Sequence, residues 1–281
     1  SDGRPERVDP HEVRRRLASW PPDVSQAAIG LMELLLEERE ELDPAQLSAL
    51  ADNLSQDEVY ADQPAFQALF ETLRSAPSDA QSAPTPALRI GWVSCPVRTA
   101  EWTMPHGLDL LLIDGDLEVE GVWSDAGDSE RAAVVVRGSL SAGHLLNSGH
   151  LLVGGDLLGH VLMSNSGNDA YLWVRGDCLA TALVLENGQY MRCGGALRAP
   201  LVVSVHNRID AGSGVQGQFF DHQPELGFRA LFLPVYRSER DVTEWDGQAW
   251  QVKATVPCVD FEAVWRDLAL GRRVLAEGSA E

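Results

Sequence analysis

The sequence predicts a mainly β protein centred on a parallel β-helix of about five to six coils, with an N-terminal α-helical bundle and a small α+β cap on either side. Three observations lead there. A short phrase recurs between about Leu108 and Val205: Ile113-Asp-Gly-Asp-Leu117, Val136-Arg-Gly-Ser-Leu140, Val153-Gly-Gly-Asp-Leu157, Val174-Arg-Gly-Asp-Cys178 and Cys193-Gly-Gly-Ala-Leu197. With the middle glycines (Gly115, Gly138, Gly155, Gly176, Gly195) as position zero, positions −2 and +2 are apolar in every copy. A second apolar pair follows at +7 and +8: Val122-Trp123, Leu145-Leu146, Leu162-Met163, Leu183-Val184 and Val202-Val203. Finally, the glycine spacings of 23, 17, 21 and 19 average 20, a solenoid period in which no unit can bury its apolar face alone. Each unit holds two short β-favouring runs broken by Gly, Asn, Asp and Ser, and none is long enough for a helix. Coils stacked about 4.8 Å apart make five units a rod of roughly 24 Å.

In chain order, residues 1–76 read as a helical domain. Asp9-Pro10 supplies a cap and an N1 proline ahead of Val13 and Leu17. Ser25 is the expected cap of a second helix carrying Ala28, Ile29, Met32, Leu35 and Leu36. Asp43-Pro44 begins a third, and Phe66, Leu69, Phe70 and Leu73 stripe a fourth. A bundle of this size is marginal alone, which predicts that it docks or forms a homodimer. Residues 77–87 are a proline-rich linker, and 88–212 form the β-helix. Within it, Leu88 to Val97 reads as an irregular first coil outside the repeat register. Residues 213–281 form the C-terminal cap, with a strand over Ala230 to Tyr236 and a final helix, capped by Asp260, from about Phe261 to Leu275, packed on the last coil.

The repeats differ in length at one place. From +8 of one unit to −4 of the next the gaps are 11, 5, 9 and 7, so a single corner takes all the variation. Even-numbered differences preserve the in/out alternation of the strands and suggest that the corner grows as small hairpins or paired extensions. Loops on one edge of a rigid scaffold are where binding usually sits. The candidate partner-binding residues are therefore Asp125, Asp128, Glu130, His150, Asn165, Asn168, Asp169, Glu186 and Asn187.

Net charge is −20, which opposes contact with nucleic acid or anionic membranes and would steer a basic protein partner. Cys95, Cys178, Cys193 and Cys258 show no zinc-type spacing. Cys178 and Cys193 fall on the apolar +2 and −2 positions, where cysteine is a small hydrophobe. At +1, Asp116, Ser139, Asp156, Asp177 and Ala196 stack. A cation site is one reading of that column; the preferred one is turn chemistry, each Asp bonding its own backbone. His144, His150 and His160 occupy different register positions and are not expected to converge. No hydrolase, metalloprotease, phosphate-loop or dinucleotide motif is present, so no catalytic, metal or cofactor residue is assigned. With no signal peptide or long apolar span, a cytoplasmic, reducing location is expected.

The apolar-x-Gly-Asp-Leu phrase resembles the repeats of the bactofilins, bacterial polymer-forming cytoskeletal proteins. The resemblance covers about 100 of 281 residues and implies a right-handed parallel β-helix without catalysis. Edge insertions and a flanking domain on each side depart from that pattern and would obstruct end-to-end stacking. Similar repeats with flanking domains also resemble proteins of bacterial toxin-immunity clusters. The leading expectation is a non-enzymatic protein-binding β-helix, most concretely an immunity protein that neutralises a basic toxin. A bactofilin-like scaffold is the alternative, and a carbohydrate-active enzyme the third reading.

Overall fold

The structure is a computed structural model, and it describes residues 4–37, 87–125, 132–165, 170–186, 188–204, 207–221, 232–245 and 250–276. Two compact units are present: Ser1–Leu31 with Arg89–Glu281, and Met32–Leu88. A parallel β-solenoid of about six turns occupies the first unit.

Two sheets build the turns. The first sheet contains β1 (Glu6–Val8), β2 (Ile90–Val93), β5 (Leu110–Ile113), β7 (Ala133–Val136), β9 (His150–Val153), β11 (Tyr171–Val174), β13 (Tyr190–Cys193) and β15 (Arg208–Ala211). The second contains β3 (Val97–Thr99), β4 (Trp102–Thr103), β6 (Leu117–Ser124), β8 (Leu140–Asn147), β10 (Leu157–Asn165), β12 (Cys178–Glu186), β14 (Leu197–Ser204) and β16 (Val215–Asp221). All neighbours are parallel except β1, which pairs antiparallel on the edge of β2. Val136, Val153 and Val174 stack in one fully buried inner column. Cys178 and Cys193 join the same core, where burial raises both thiol pKa values.

The long strands of the second sheet bend midway. Leu157 and Leu162 of β10 face the core, whereas Val161 and Met163 face outward, so strict alternation slips by one at His160–Val161. The bend gives each strand two limbs and each coil three sides. Outward residues of the second limbs, including Leu146, Met163, Val184 and Val203, pack against Phe232, Tyr236, Val259, Val264, Leu268 and Leu275. The C-terminal segment thus lies along the flank of the coils, where the sequence had suggested a cap across the last one.

Several expectations shift in detail. The solenoid begins earlier and ends later than the glycine phrase. Val93 and Val97 pair in register with Ile113 and Leu117, so Cys95 stands at position zero of a regular first coil. At the other end β15 and β16 add a coil, with Ser213 at zero between Ala211 and Val215. Strand β6 bulges between Val119 and Val122, which makes Trp123 the partner of Leu145. That extra residue means the even-numbered relation among corner lengths does not extend to the first repeat. The corner does grow as a paired extension elsewhere: Asn165 pairs with Glu186 in the parallel ladder.

Helix α1 (Pro10–Leu17) is capped by Asp9, whose carboxylate accepts from the Glu12 amide at 2.8 Å. Helix α2 (Pro22–Glu37) starts before Ser25, because Pro22 presets φ and Asp23 favours the first turn. Helix α1 and the start of α2 lie on the outer side of the first sheet: Trp20 packs on Trp92 at 5.4 Å, and Asp23 meets Arg175 at 2.5 Å. The third and fourth helices expected in 43–73 lie outside the described residues. Residues Pro234–Tyr236 form a 3-10 turn, and Phe232 makes only an isolated bridge to Leu275, so the strand expected from Ala230 to Tyr236 is not seen among the described residues. Helix α3 (Phe261–Ala269) begins as expected, with the Ala263 amide donating to Asp260 at 2.9 Å. It stops short of Leu275 because Gly271 takes the left-handed conformation, φ +65°.

Candidate interaction surface

Two corners of the coil carry polar side chains, and they are built differently. At the corner following the first sheet, the +1 side chain of each coil reaches over the next one. Asp116 accepts from the Ser139 amide, Asp156 from the Asp177 amide and Asp177 from the Ala196 amide, each at 2.8 Å. Ser139 does the same for the Asp156 amide at 3.1 Å. The expected bond of each Asp to its own backbone is therefore corrected to an inter-coil ladder. This also explains the glycine: a Cβ on Gly176 would lie 2.1 Å from Asp156 Oδ1, and one on Gly195 2.0 Å from Asp177 Oδ1. Ser213 fits at the same position because the residue below it is Ala196, which sends no carboxylate across.

The other corner, where the repeats vary in length, is held from inside. Asp125 is fully buried, and its carboxylate accepts from the Ser148 amide at 2.6 Å, the Ser148 hydroxyl at 2.9 Å and the Gly149 amide at 2.8 Å. Burial outweighs these donors and pushes its pKa up to about 6. A buried polar column continues through later coils. Asn147 Nδ2 donates to Ser164 Oγ at 2.8 Å, Ser164 Oγ donates to Gln189 Oε1 at 2.9 Å, and the Gln189 backbone N–H donates to Asn207 Oδ1 at 2.6 Å. Asn147 Oδ1 and Gln189 Nε2 are buried without a hydrogen-bond partner, each costing about 1–3 kcal/mol. An apolar column would hold the coils together at less expense; this one fixes where the corner segments leave the rod.

The candidate partner-binding residues divide accordingly. Asp125 and His150 are both buried, Asp125 within the corner and His150 on the outer face of the first sheet: His150 is 5 % exposed, and its Nδ1 accepts the Tyr171 amide at 3.1 Å. Asn165 and Glu186 are half-buried at the ends of β10 and β12. Asp128, Glu130, Asn168, Asp169 and Asn187 lie outside the described residues. The repeat phrase marks inward positions and so does not reveal an outward-facing group on the first sheet, exposed Tyr171, Arg192 and Arg208 with half-buried Trp173 and Tyr190. Alternation from Leu172 and Met191 would have placed these side chains outside.

His144 and His160 come within 5.6 Å across adjacent coils, with His160 also 2.9 Å from the Thr181 hydroxyl. Desolvation, then the charge of His160, lowers the His144 pKa. Among the described residues no three metal-ligating side chains cluster, and no helix is long and apolar enough to cross a membrane. Comparison with known protein families, curated proteins and solved structures finds no match, so the parallel β-solenoid stands on the chain's own geometry and no family supports the bactofilin resemblance.

Proposed function

We propose that this is a non-enzymatic binding protein that uses the variable corner of a right-handed solenoid to grip a basic protein partner, most concretely as a bacterial immunity protein that occludes a toxin. The observation that carries this reading is the buried polar column at that corner. Asn147, Ser164 and Gln189 sacrifice stability to fix the stubs of segments that differ in length from coil to coil, whereas the opposite corner is uniform. A net charge of −20 adds long-range steering toward a basic partner. Among the described residues β15 and β16 end their sheets, which favours a second reading, a scaffold built by coil-on-coil contact, while antiparallel β1 obstructs the other end of the first sheet.

Affinity capture from native lysate at low salt, with elution in a salt gradient, tests the reading. A basic partner should elute as salt rises, and Asp128→Lys/Glu130→Lys/Glu186→Lys should retain about tenfold less of it. Asp125 is left out of this variant because its carboxylate is internal. Equal retention by the variant, with elution indifferent to salt, would remove the proposal.

A further inference from the structure

The outer face of the first sheet carries two columns of side chains that change character at the same coil. One runs Leu110, Ala133, His150, Tyr171, Tyr190, Arg208; the other runs Leu112, Val135, Leu152, Trp173, Arg192, Asp210. Both are buried as far as His150 and Leu152. Beyond that point Tyr171 is 47 % exposed, and Arg192, Arg208 and Asp210 are exposed. Aliphatic side chains thus give way to tyrosine, tryptophan and arginine where the burial stops. That composition is the one that dominates binding energy at protein interfaces.

The chemistry left open is narrower than the composition suggests. His150 stacks on Tyr171 at 5.7 Å and 17°, Tyr190 meets Tyr171 at 5.7 Å and 78°, and the Arg208 guanidinium lies 5.5 Å over the Tyr190 ring. Ring faces are engaged within the column, and the rings are not coplanar, so the patch offers no flat platform for stacking sugars. It presents ring edges, phenolic hydroxyls and guanidiniums, which are mostly hydrogen-bond donors. Among the described residues neither Arg192 nor Arg208 is paired with a carboxylate, even though Asp210 is the cross-strand neighbour of Arg192. By contrast Arg89, Arg98, Arg137, Arg175 and Arg198 each hold one. Unsatisfied guanidiniums beside aromatic edges call for a ligand rich in carboxylates.

We propose that Tyr171, Trp173, Tyr190, Arg192 and Arg208 form a docking surface for an acidic peptide segment of a partner protein. A short acidic segment meets the two guanidiniums locally. A long uniform polyanion, whether polyuronate or nucleic acid, would in addition be repelled by a chain of net charge −20. This surface is separate from the variable corner and selects the opposite sign of charge, so it goes beyond the function proposed above.

The test is fluorescence anisotropy on the full chain with fluorescein-labelled octaglutamate, an octalysine peptide and tetragalacturonate as probes. Octaglutamate should bind, and Arg192→Glu/Arg208→Glu should weaken it by roughly tenfold or more. Arg98→Glu, on the second sheet, should leave binding unchanged. Arg192→Gln/Arg208→Gln with an unchanged near-ultraviolet circular dichroism spectrum provides a second, fold-neutral variant. The proposal is overturned if octaglutamate does not bind the full chain, if it binds the double variants equally, or if tetragalacturonate binds while the peptide does not. None of these results bears on the corner variant Asp128→Lys/Glu130→Lys/Glu186→Lys, whose readout is retention of a basic protein.

Discussion

The two polar corners of each coil solve one problem in opposite ways. At the Gly–Asp corner, half-exposed carboxylates bridge one coil to the next, and each bridge occupies the space where a Cβ would otherwise sit. The corner can neither widen nor lengthen without breaking the bridge, and the phrase around it stays constant. At the variable corner the polar groups are buried: Asp125 clasps the turn at Ser148 and Gly149, and Asn147, Ser164 and Gln189 form a column behind it. Chain beyond those anchors is free to differ in length. Glycine serves each corner differently too. Gly176 is needed for space, whereas Gly188 is needed for its φ of +83°. A repeat protein can therefore keep its pitch with one corner and vary its surface with the other.

Insertion tests the contrast most severely. Two residues added between Asp156 and Leu157 would separate the Asp156 carboxylate from the Asp177 amide and displace β10 from both neighbours. Cooperative thermal unfolding of the solenoid should be lost, since the disrupted strand lies mid-sheet and its apolar contacts exceed the few kcal/mol of net stability typical of a domain. The same two residues added after Gly127, in the longest corner segment, should cost about 1 kcal/mol or less. Similar melting of the two variants would erase the distinction between corners.

A second, smaller effect isolates the glycine. In Gly176→Ser the new Cβ displaces the Asp156 carboxylate and presses on the Gly155 carbonyl oxygen, 2.9 Å away, for a cost of about 2–3 kcal/mol. Ser213 shows how that cost is relieved, because it sits above Ala196. Asp156→Ala combined with Gly176→Ser should therefore be less destabilised than the sum of the single variants, by about 1 kcal/mol in a double-mutant cycle. Strict additivity would mean that the carboxylate does not impose the glycine.

The same coupling explains how far the sequence could be read. Between Ile113 and Leu197 the phrase is legible because the residue below forces the glycine above: a carboxylate or hydroxyl at Gly138, Gly155, Gly176 and Gly195, and Pro96 at Gly115. The end coils were harder to recognise: Cys95 opens the first coil found among the described residues, and Ser213 lies over Ala196, which sends no carboxylate across. Asp125 resembled an ordinary surface acid, because burial of a corner residue depends on Ser148 and Gly149 from the following turn rather than on its own neighbours in sequence. The bulge in β6 was hidden for a similar reason, as Gly121 donates to the Ala100 carbonyl at 2.7 Å, a contact between coils. Amphipathic alternation located Phe232, Val264 and Leu268 as apolar, but it held no information on whether they cover the end of the rod or its side.

The mildest perturbation compares the carboxylates of the two corners. Asp177→Ala removes one acceptor at a half-exposed site where water can replace it, so the loss should stay near 1 kcal/mol or below. Asp125→Ala strips the acceptor from two amides and a hydroxyl in the interior, for about 2 kcal/mol at pH 5. The second loss depends on pH. The Asp125 carboxyl is raised from 3.8 to about 6 by desolvation, so between those values the folded state binds its proton more tightly than the unfolded chain does. Stability from this group is therefore greatest below about pH 4, declines as pH rises through about 6, and is level above that. Asp125→Asn should abolish this slope, which amounts to about 2–3 kcal/mol across the window, while Asp177→Asn should leave it in place. Chemical denaturation at pH 4.5, 6 and 7.5 reads the difference; a slope that survives Asp125→Asn would show that another group, and not the buried Asp125 carboxyl, carries it.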